Sequence, residues 1–204
     1  MAGTPKITTA ELTPRLWPEL ERLFGSNGAC GGCWCMYWRI PEGERFEDVK
    51  GPTAKRRFKA LVTKGKAHGV LAFAGDEPVG WCAIEHRRDL PRLDRAPSLR
   101  IDDADRVWSL PCFYVKAGWR GKRVASALVR AAEEILVARG AEIAEAYPAK
   151  PSGSAKMPGA FAWTGVPAMF EAAGFARADD KTKGKQRYRK KLPVLSGSSP
   201  RRRR

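Results

Sequence analysis

The sequence lacks any apolar run that approaches the roughly 18 residues needed to span a bilayer. Its beginning, residues 1–6, has no apolar core of the kind found in signal peptides. Neither a membrane anchor nor secretion is expected, and the predicted location is the cytoplasm. No internal repeat is visible along the 204 residues.

The sequence also lacks an even set of cysteines, since it contains five. A chain of 204 residues with 43% hydrophobic residues can build one sizeable core without disulfide bonds. Free thiols in a reducing compartment are therefore expected.

Three cysteines follow the pattern Cys30-x-x-Cys33-x-Cys35, which raises the alternative of a zinc site. The fourth ligand would have to come from elsewhere in the chain: Cys82, Cys112, His68 or His86. A second Cys-x-x-Cys pair is missing, and Trp34 and Trp38 lie among the thiols. The segment is therefore expected to be core or a wall of the acceptor pocket, with no metal.

Acidic residues are few relative to basic ones, 22 against 38, which gives a net charge of +16. The excess is concentrated at the C-terminal end, where Arg177 to Arg204 hold twelve basic and two acidic residues. Residues 194–204 are predicted to form a disordered basic tail. Such a tail binds polyanions without sequence specificity, so a nucleic-acid-associated protein is one alternative function.

Between an N-terminal extension, residues 1–9, and this tail, residues 10–193 are predicted to form one domain. Apolar periodicity predicts helices over 13–24, 53–64, 124–139 and 164–173. Strands are predicted over 70–73, 79–85, 107–115, 143–147, 175–177 and 187–192. The polar stretch 87–106 is predicted to be a long surface loop near the active site.

The most informative feature is a strand, a basic turn and an amphipathic helix over residues 112–139. The first turn of a helix has amides without internal partners, and the helix dipole adds positive charge there. Arg120, Lys122 and Arg123 would add further positive charge around a bound pyrophosphate. From the residues alone, an ordinary turn with solvated basic side chains is an equally good interpretation.

The stretch Arg120-Gly121-Lys122-Arg123-Val124-Ala125 resembles the acyl-CoA signature of the GNAT superfamily of N-acetyltransferases, Gln/Arg-x-x-Gly-x-Gly/Ala. Arg123 stands where the family usually has glycine, and a helical φ is expected for it. Further similarity, including to uncharacterised bacterial members of the family, covers residues 10–192, with matches at Cys33-Trp34-Cys35, Pro78-Val79-Gly80-Trp81, Ala146-Tyr147-Pro148 and Met169 to Phe175.

The resemblance implies an α/β fold of the GNAT type, with a mixed, mostly antiparallel sheet of six to seven strands. Helices would flank this sheet, which would be splayed at an acetyl-CoA site. It also implies an acyltransferase that moves an acetyl group from acetyl-CoA to a primary amine of a small molecule or peptide, by direct transfer in a ternary complex. The cofactor-binding residues would be Phe113, Tyr114, Val115, Arg120, Gly121, Lys122, Arg123, Val124, Ala125, Ser126 and Phe170.

Phe170 stands where many family members have a tyrosine that protonates the departing CoA thiolate. Since phenylalanine cannot donate a proton, another group or water must do so, or the thiolate leaves unprotonated. A CoA-binding module without catalysis is therefore a second alternative. The resemblance places the general base on the central strands, where Glu85 and Glu145 are the candidates, directly or through water.

The acceptor is not identified by the sequence. A cationic amine would suit the acidic residues of the 87–106 stretch, which are Asp89, Asp94, Asp102, Asp103 and Asp105. An exposed mixture of charges is the simpler interpretation of these residues. A homodimer is left open.

Overall fold

The computed structural model of the chain describes residues 6–149, 162–178 and 185–193. Within these ranges the strands, numbered in chain order, are β1 Ile7–Glu11, β2 His68–Ala74, β3 Glu77–His86, β4 Val107–Leu110, β5 Phe113–Val115, β6 Ile143–Ala146, β7 Ala176–Arg177 and β8 Tyr188–Lys191. The helices are α1 Trp17–Phe24, α2 Phe46–Val49, α3 Pro52–Thr63, α4 Val124–Ala138 and α5 Pro167–Glu171. No helix in this part of the chain is long and apolar enough to cross a membrane.

The strands form one sheet in the order β1-β2-β3-β4-β6-β8-β7, and β5 pairs with β3 beside β4. Every pairing is antiparallel except that of β4 with β6. The mixed, mostly antiparallel sheet with flanking helices is therefore confirmed. It has eight strands in the described residues, because β1 was not predicted and the strand predicted over 107–115 is two strands.

The interruption between β4 and β5 lies at Pro111 and Cys112. Ser109 of β4 is opposite Glu85, and Phe113 of β5 is opposite Cys82. Three residues on one side thus face two on the other, which is a bulge. Proline has no N–H for the ladder, so an interruption is favoured here. Because β6 pairs with β4 and no pairing of β6 with β5 is found in the described residues, the sheet opens at this point.

The segment 87–106, predicted as a surface loop, is instead a series of short 3-10 turns with a buried side. Leu90, Leu93 and Leu99 form a small core with Trp38 and Tyr147. The prediction was wrong because three leucines among many charged residues are enough to anchor the segment to the sheet.

Strand β1 crosses the predicted boundary between the N-terminal extension, residues 1–9, and the domain that starts at residue 10. Residues of β1 pair with β2 from Ile7↔Ala74 to Glu11↔Val70, so residues 7–9 belong to the sheet rather than to an extension. The start of that extension, residues 1–5, and the basic tail 194–204 lie outside the described residues.

Two cores cover the two faces of the sheet. Alternation along β3 sends Cys82 and Ile84 to one face, where they pack in the same cluster as α4. Trp81 and Ala83 point to the other face and join the cluster that holds α1 and α3. The sheet therefore fixes α4 on one side and the aromatic segment after α1 on the other.

The start of α4 lies very close to β3. A Cβ atom built on Gly80 would be 2.5 Å from Val124 Cγ1 and 3.1 Å from Leu128 Cδ1. The glycine is required here because any side chain would push the first turns of α4 away from the sheet. The position of the α4 N-terminus thus depends on this contact.

We predict that Gly80→Ala lowers the free energy of unfolding by about 1–3 kcal/mol, as overpacking of a core usually does. Gly118→Ala is the matched control, since a Cβ there would meet nothing within 4 Å. Urea unfolding of both variants measures the difference. Equal midpoints for the two variants would show that α4 is free to shift.

Candidate functional site

The turn that leads into α4 has an unusual backbone. Gly121 has φ 74°, and Arg123, the residue before the helix, has φ 61° and ψ 13°. The expectation that Arg123 adopts a helical φ is therefore wrong. The chain reverses direction between β5 and α4, and a left-handed residue at the helix start makes this turn. A residue with a side chain costs roughly 1–2 kcal/mol in this conformation.

The first amides of α4 are free to bind a ligand. The amide of Ala127 donates to the Arg123 carbonyl at 3.1 Å, so the amides of Val124, Ala125 and Ser126 precede the first hydrogen bond of the helix. The Arg123 side chain does not cap them, and the first turn contains no acidic residue. A 15-residue helix with an uncapped N-terminus attracts anions.

The residues that carry these amides line a cavity of about 740 Å³, called here the larger cavity. Its walls are β5, the turn, the start of α4, the segment 162–166 and one side of α5. Nine of the eleven predicted cofactor-binding residues line it: Phe113, Tyr114, Val115, Arg120, Gly121, Arg123, Val124, Ala125 and Ser126. No acidic side chain of the described residues lines it, so the donor set suits a pyrophosphate.

The other two predicted residues are not in this wall. The Lys122 ammonium lies 4.8 Å from the centroid of the Trp119 ring, and it is Trp119 that lines the cavity. Phe170 is fully buried, with its ring 5.7 Å from that of Phe113 and 5.4 Å from that of Phe175. Ala168 and Met169 of the short helix α5, and Ala172 directly after it, line the cavity, whereas Phe170 points into the core.

One edge of β5 carries backbone groups that no strand pairs in the described residues. The backbone N–H and C=O of Tyr114 point towards β3. Those of Phe113 and Val115 therefore point the other way, towards the opening of the sheet. The Phe113 amide donates to the Trp163 carbonyl at 2.6 Å, and Arg120 Nε donates to the Val115 carbonyl at 3.2 Å. The Val115 amide and the Phe113 carbonyl remain along this edge.

Glu145, the first candidate base, lies inside a charged network. Its Oε2 accepts from Arg189 Nε at 2.5 Å, and the Nε atoms of Arg87 and Arg187 are each 3.8 Å away from a carboxylate oxygen. Its Oε1 accepts from the Tyr147 hydroxyl at 2.8 Å. Since that hydroxyl gives its only proton to Glu145, Ser109 Oγ, at 2.7 Å, is the donor to Tyr147.

The pKa values of two neighbours follow from this network. Burial, and next the negative charge of Glu145, raise the pKa of Tyr147 well above its usual range. Burial alone would lower the pKa of Arg189, but its hydrogen bonds to Asp103 and its contact with Glu145 outweigh burial and raise that pKa. The network therefore keeps Tyr147 neutral and Arg189 charged.

Glu85, the second candidate base, is also buried and paired. It forms an ion pair with Arg39, it accepts from the His68 amide at 3.3 Å, and His68 Nδ1 is 3.6 Å from its Oε2. Glu85, Ser109 and Glu145 form one row across β3, β4 and β6. Neither carboxylate lines the larger cavity.

The cysteine segment lies next to the larger cavity. Cys35 Sγ is 3.7 Å from Cys112 Sγ, and Trp81 Nε1 donates to Cys35 Sγ at 3.1 Å. None of the five cysteines, all of which lie in the described residues, forms a disulfide bond. Among the described residues no group of three or more His, Cys, Asp or Glu side chains is placed to hold a metal ion.

Sequence reasoning missed part of the cavity wall. Trp163, Met169 and Ala172 line one side, and Ala29 lines another together with Cys30, whose segment was expected to be core or pocket wall. The three-residue spacing of Met169 and Ala172 was the only available signal for a shared side. Trp163 and Ala29 are in non-repetitive segments, where spacing carries no such information.

The strain at Arg123 gives a testable prediction. Arg123→Gly should be more stable than Arg123→Ala by about 1 kcal/mol, because only glycine removes the cost of the left-handed φ. Both variants lose the same charge, so their difference isolates the backbone. Urea unfolding measures it, and identical stabilities would mean that residue 123 does not hold this conformation in solution.

Comparisons with known proteins agree with this geometry. The sequence model of the Acetyltransferase (GNAT) family matches residues 34–153, which is more than half of the chain and includes β5, the turn and all of α4. A search of curated proteins finds no match.

Solved structures share the fold. The N-acetyltransferase from Staphylococcus aureus Mu50 aligns over 92% of this chain and 99% of its own, with 12% identity and a TM-score of 0.54. The ribosomal-protein-S18-alanine N-acetyltransferase from Escherichia coli aligns over 94% and 97%, with 12% identity and a TM-score of 0.51. With the family match over β5 and α4, and a cavity whose donors suit a pyrophosphate, this chain belongs to the GNAT family of acetyltransferases, which use acetyl-CoA as the acetyl donor.

Proposed function

We propose that the protein acetylates a primary amine by direct transfer from acetyl-CoA, with both substrates bound at once. The single observation that carries this proposal is the larger cavity. It joins the uncapped N-terminus of α4 to the unpaired edge of β5 without an acidic side chain in its described lining. Acetyl-CoA supplies the acetyl group as a reactive thioester.

The phosphate end of the donor would lie at the start of α4. The amides of Val124, Ala125 and Ser126 would donate to the pyrophosphate, and the guanidinium groups of Arg120 and Arg123 would balance its charge. Lys122 contributes through the electrostatic field rather than by contact, since it lies on the Trp119 ring.

The pantetheine arm would lie along β5. Its amide groups are complementary to the Val115 amide and the Phe113 carbonyl, as an added strand would be. This places the reacting end of the donor near the bulge at Pro111 and Cys112. Orientation of both substrates in one cavity provides much of the acceleration in such a reaction.

Of the steps in the proposed reaction, proton transfer has the fewest direct contacts with side chains. Phe170 is a core residue, so we propose that water protonates the departing thiolate. Glu145 reaches towards the bulge only through Tyr147 and Ser109, so any role as a base would be relayed. We propose that Glu145 and Glu85 mainly hold the opened sheet together by pairing with buried arginines.

Two further proposals concern the setting of the enzyme. Free thiols, with Cys35 and Cys112 in contact and unbonded, support a reducing compartment such as the cytoplasm. The basic tail, residues 194–204, is proposed to bind polyanions without sequence specificity.

The phosphate contacts can be tested by matched charge reversals. Arg120→Glu should weaken CoA binding by about tenfold or more, because it places a negative charge in the cavity wall. Lys122→Glu makes the same charge change two residues away but outside the wall, so it should weaken binding less, through the electrostatic field alone. Calorimetry with CoA measures both; equal losses, or no heat for the unaltered protein at millimolar CoA, would contradict the proposed site.

The role of Glu145 can be separated from catalysis. Glu145→Gln leaves the buried Arg87 and the partly buried Arg187 and Arg189 facing a neutral group, so we expect a loss of stability on the order of 3 kcal/mol. Glu134→Gln, an exposed residue of α4, is the control and should leave stability unchanged. Urea unfolding and the pH profile of turnover distinguish a structural role from a role as general base. If Glu145 were the base, Glu145→Gln would keep its stability and lose turnover.

A further inference from the structure

A second pocket of about 210 Å³, called here the smaller pocket, adjoins the larger cavity. The two share Ala29, Cys30, Phe113, Tyr114 and Trp163 in their linings. The shared part lies at the Phe113 end of β5, whereas the phosphate-binding turn lies at the Val115 end. The smaller pocket is therefore placed where an acceptor would meet the acetyl end of the donor.

The lining of the smaller pocket is uncharged. No Asp, Glu, Lys, Arg or His of the described residues lines it. Four of its lining residues are cysteines: Cys30, Cys33, Cys35 and Cys112. Burial, and next the proximity of Cys35, raise the pKa of Cys33 to about 12. A hydrogen bond with Cys35, and next burial, raise the pKa of Cys112. These two thiols are therefore neutral at physiological pH.

Aromatic rings form the rest of the wall. The Tyr37 ring meets the rings of Phe46 and Trp163 edge-on, at centroid distances of 5.3 Å and 5.2 Å. An apolar cavity of about 150 Å³ binds benzene, so the smaller pocket has room for one ring with a short side chain. Such a ring would add to the edge-to-face cluster.

The charged residues around the smaller pocket disfavour a polycation as the acceptor. Three of the five acidic residues that a cationic acceptor would have suited are paired with arginines: Asp94 with Arg87, Asp103 with Arg189 and Asp105 with Arg88. None of the five candidates, Asp89 and Asp102 included, lines either cavity. Two cations already lie over rings of the wall, since the Arg92 guanidinium is 4.1 Å from the Tyr37 centroid and the Lys185 ammonium 4.7 Å from that of Trp163.

The backbone around the pocket is held in costly conformations. Within the described residues, four non-glycine residues have a positive φ, and Ala29, Trp34 and Cys35 are three of them. Ala29 and Cys35 line the smaller pocket, and Trp34 packs behind them against Trp17 and Phe24. Strain of this kind persists where the surrounding structure determines it, and it clusters at binding sites.

We propose that the smaller pocket binds the acceptor and that this acceptor is a primary amine carried on an aromatic ring by a short chain. The inference rests on the proposed function, because it needs acetyl-CoA in the larger cavity. An uncharged pocket favours the neutral amine over the ammonium, which removes the need for a nearby carboxylate base. The amine nitrogen then bonds to the acetyl carbon, the carbon–sulfur bond breaks, the nitrogen proton passes to water, and the CoA sulfur leaves and takes a proton from water.

The test compares three amines with the full-length protein and acetyl-CoA: 2-phenylethylamine, n-propylamine and spermidine. Released CoA is measured by chromatography, since reagents for thiols would also react with the protein. We expect kcat/KM for 2-phenylethylamine to exceed the other two by about tenfold or more, the effect of burying one ring. Equal or better use of spermidine or n-propylamine would overturn the inference.

The variant Phe46→Ala removes a ring that lines only the smaller pocket. It should raise the KM for 2-phenylethylamine by about tenfold and leave the KM for acetyl-CoA unchanged. The control is Phe73→Ala, a half-buried ring on β2 that lines neither cavity. An unchanged KM in Phe46→Ala, or the same change in both variants, would count against the pocket.

The two proposals fail in different ways. CoA binding without acetylation of 2-phenylethylamine overturns the acceptor inference and leaves the donor site in place. No CoA binding, measured on the same preparation by calorimetry, overturns both.

Discussion

The extra residue at Pro111 and Cys112 is the constraint on which the site depends. It lets β4 stay between β3 and β6, while β5 pairs only with β3 among the strands of the described residues. Backbone groups of Phe113 and Val115 thereby face an opening rather than another strand. The same interruption brings the Cys112 thiol beside Cys35, and the smaller pocket meets the larger cavity at Phe113 and Tyr114 of β5.

The distribution of charge follows from which arginines the fold buries. Arg39 and Arg87 are buried against Glu85 and Glu145, and Arg189 joins Glu145 to Asp103. These ion pairs neutralise carboxylates that would otherwise attract cations to the site. What remains is a larger cavity with arginines at one end and a neutral, aromatic pocket at the other, which is the polarity that an anionic donor and an apolar acceptor require.

Residues with a strained backbone lie in the walls of both the larger cavity and the smaller pocket. Arg123 holds a left-handed φ at the start of α4, and Ala29 and Cys35 do so in the wall of the smaller pocket. Each position costs free energy that the packed surroundings must supply. Behind the smaller pocket this support is visible in Trp34, which stacks on Trp17 and packs at a tilt against Phe24, and the strain there is thus a by-product of shaping an apolar recess.

The sequence by itself indicated an anion-binding turn before α4, because strand, turn and helix follow one another along 25 residues or so and local rules govern each. The resemblance to the GNAT signature then named eleven cofactor-binding residues, nine of which line the larger cavity. Only the tertiary structure decided that Phe170 is core, that Glu85 and Glu145 are paired with arginines, and that the 87–106 segment is anchored by leucines. It also decided the acceptor pocket, whose walls come from residues 29–46, 112–114 and 163, segments too far apart in sequence for any periodicity to connect.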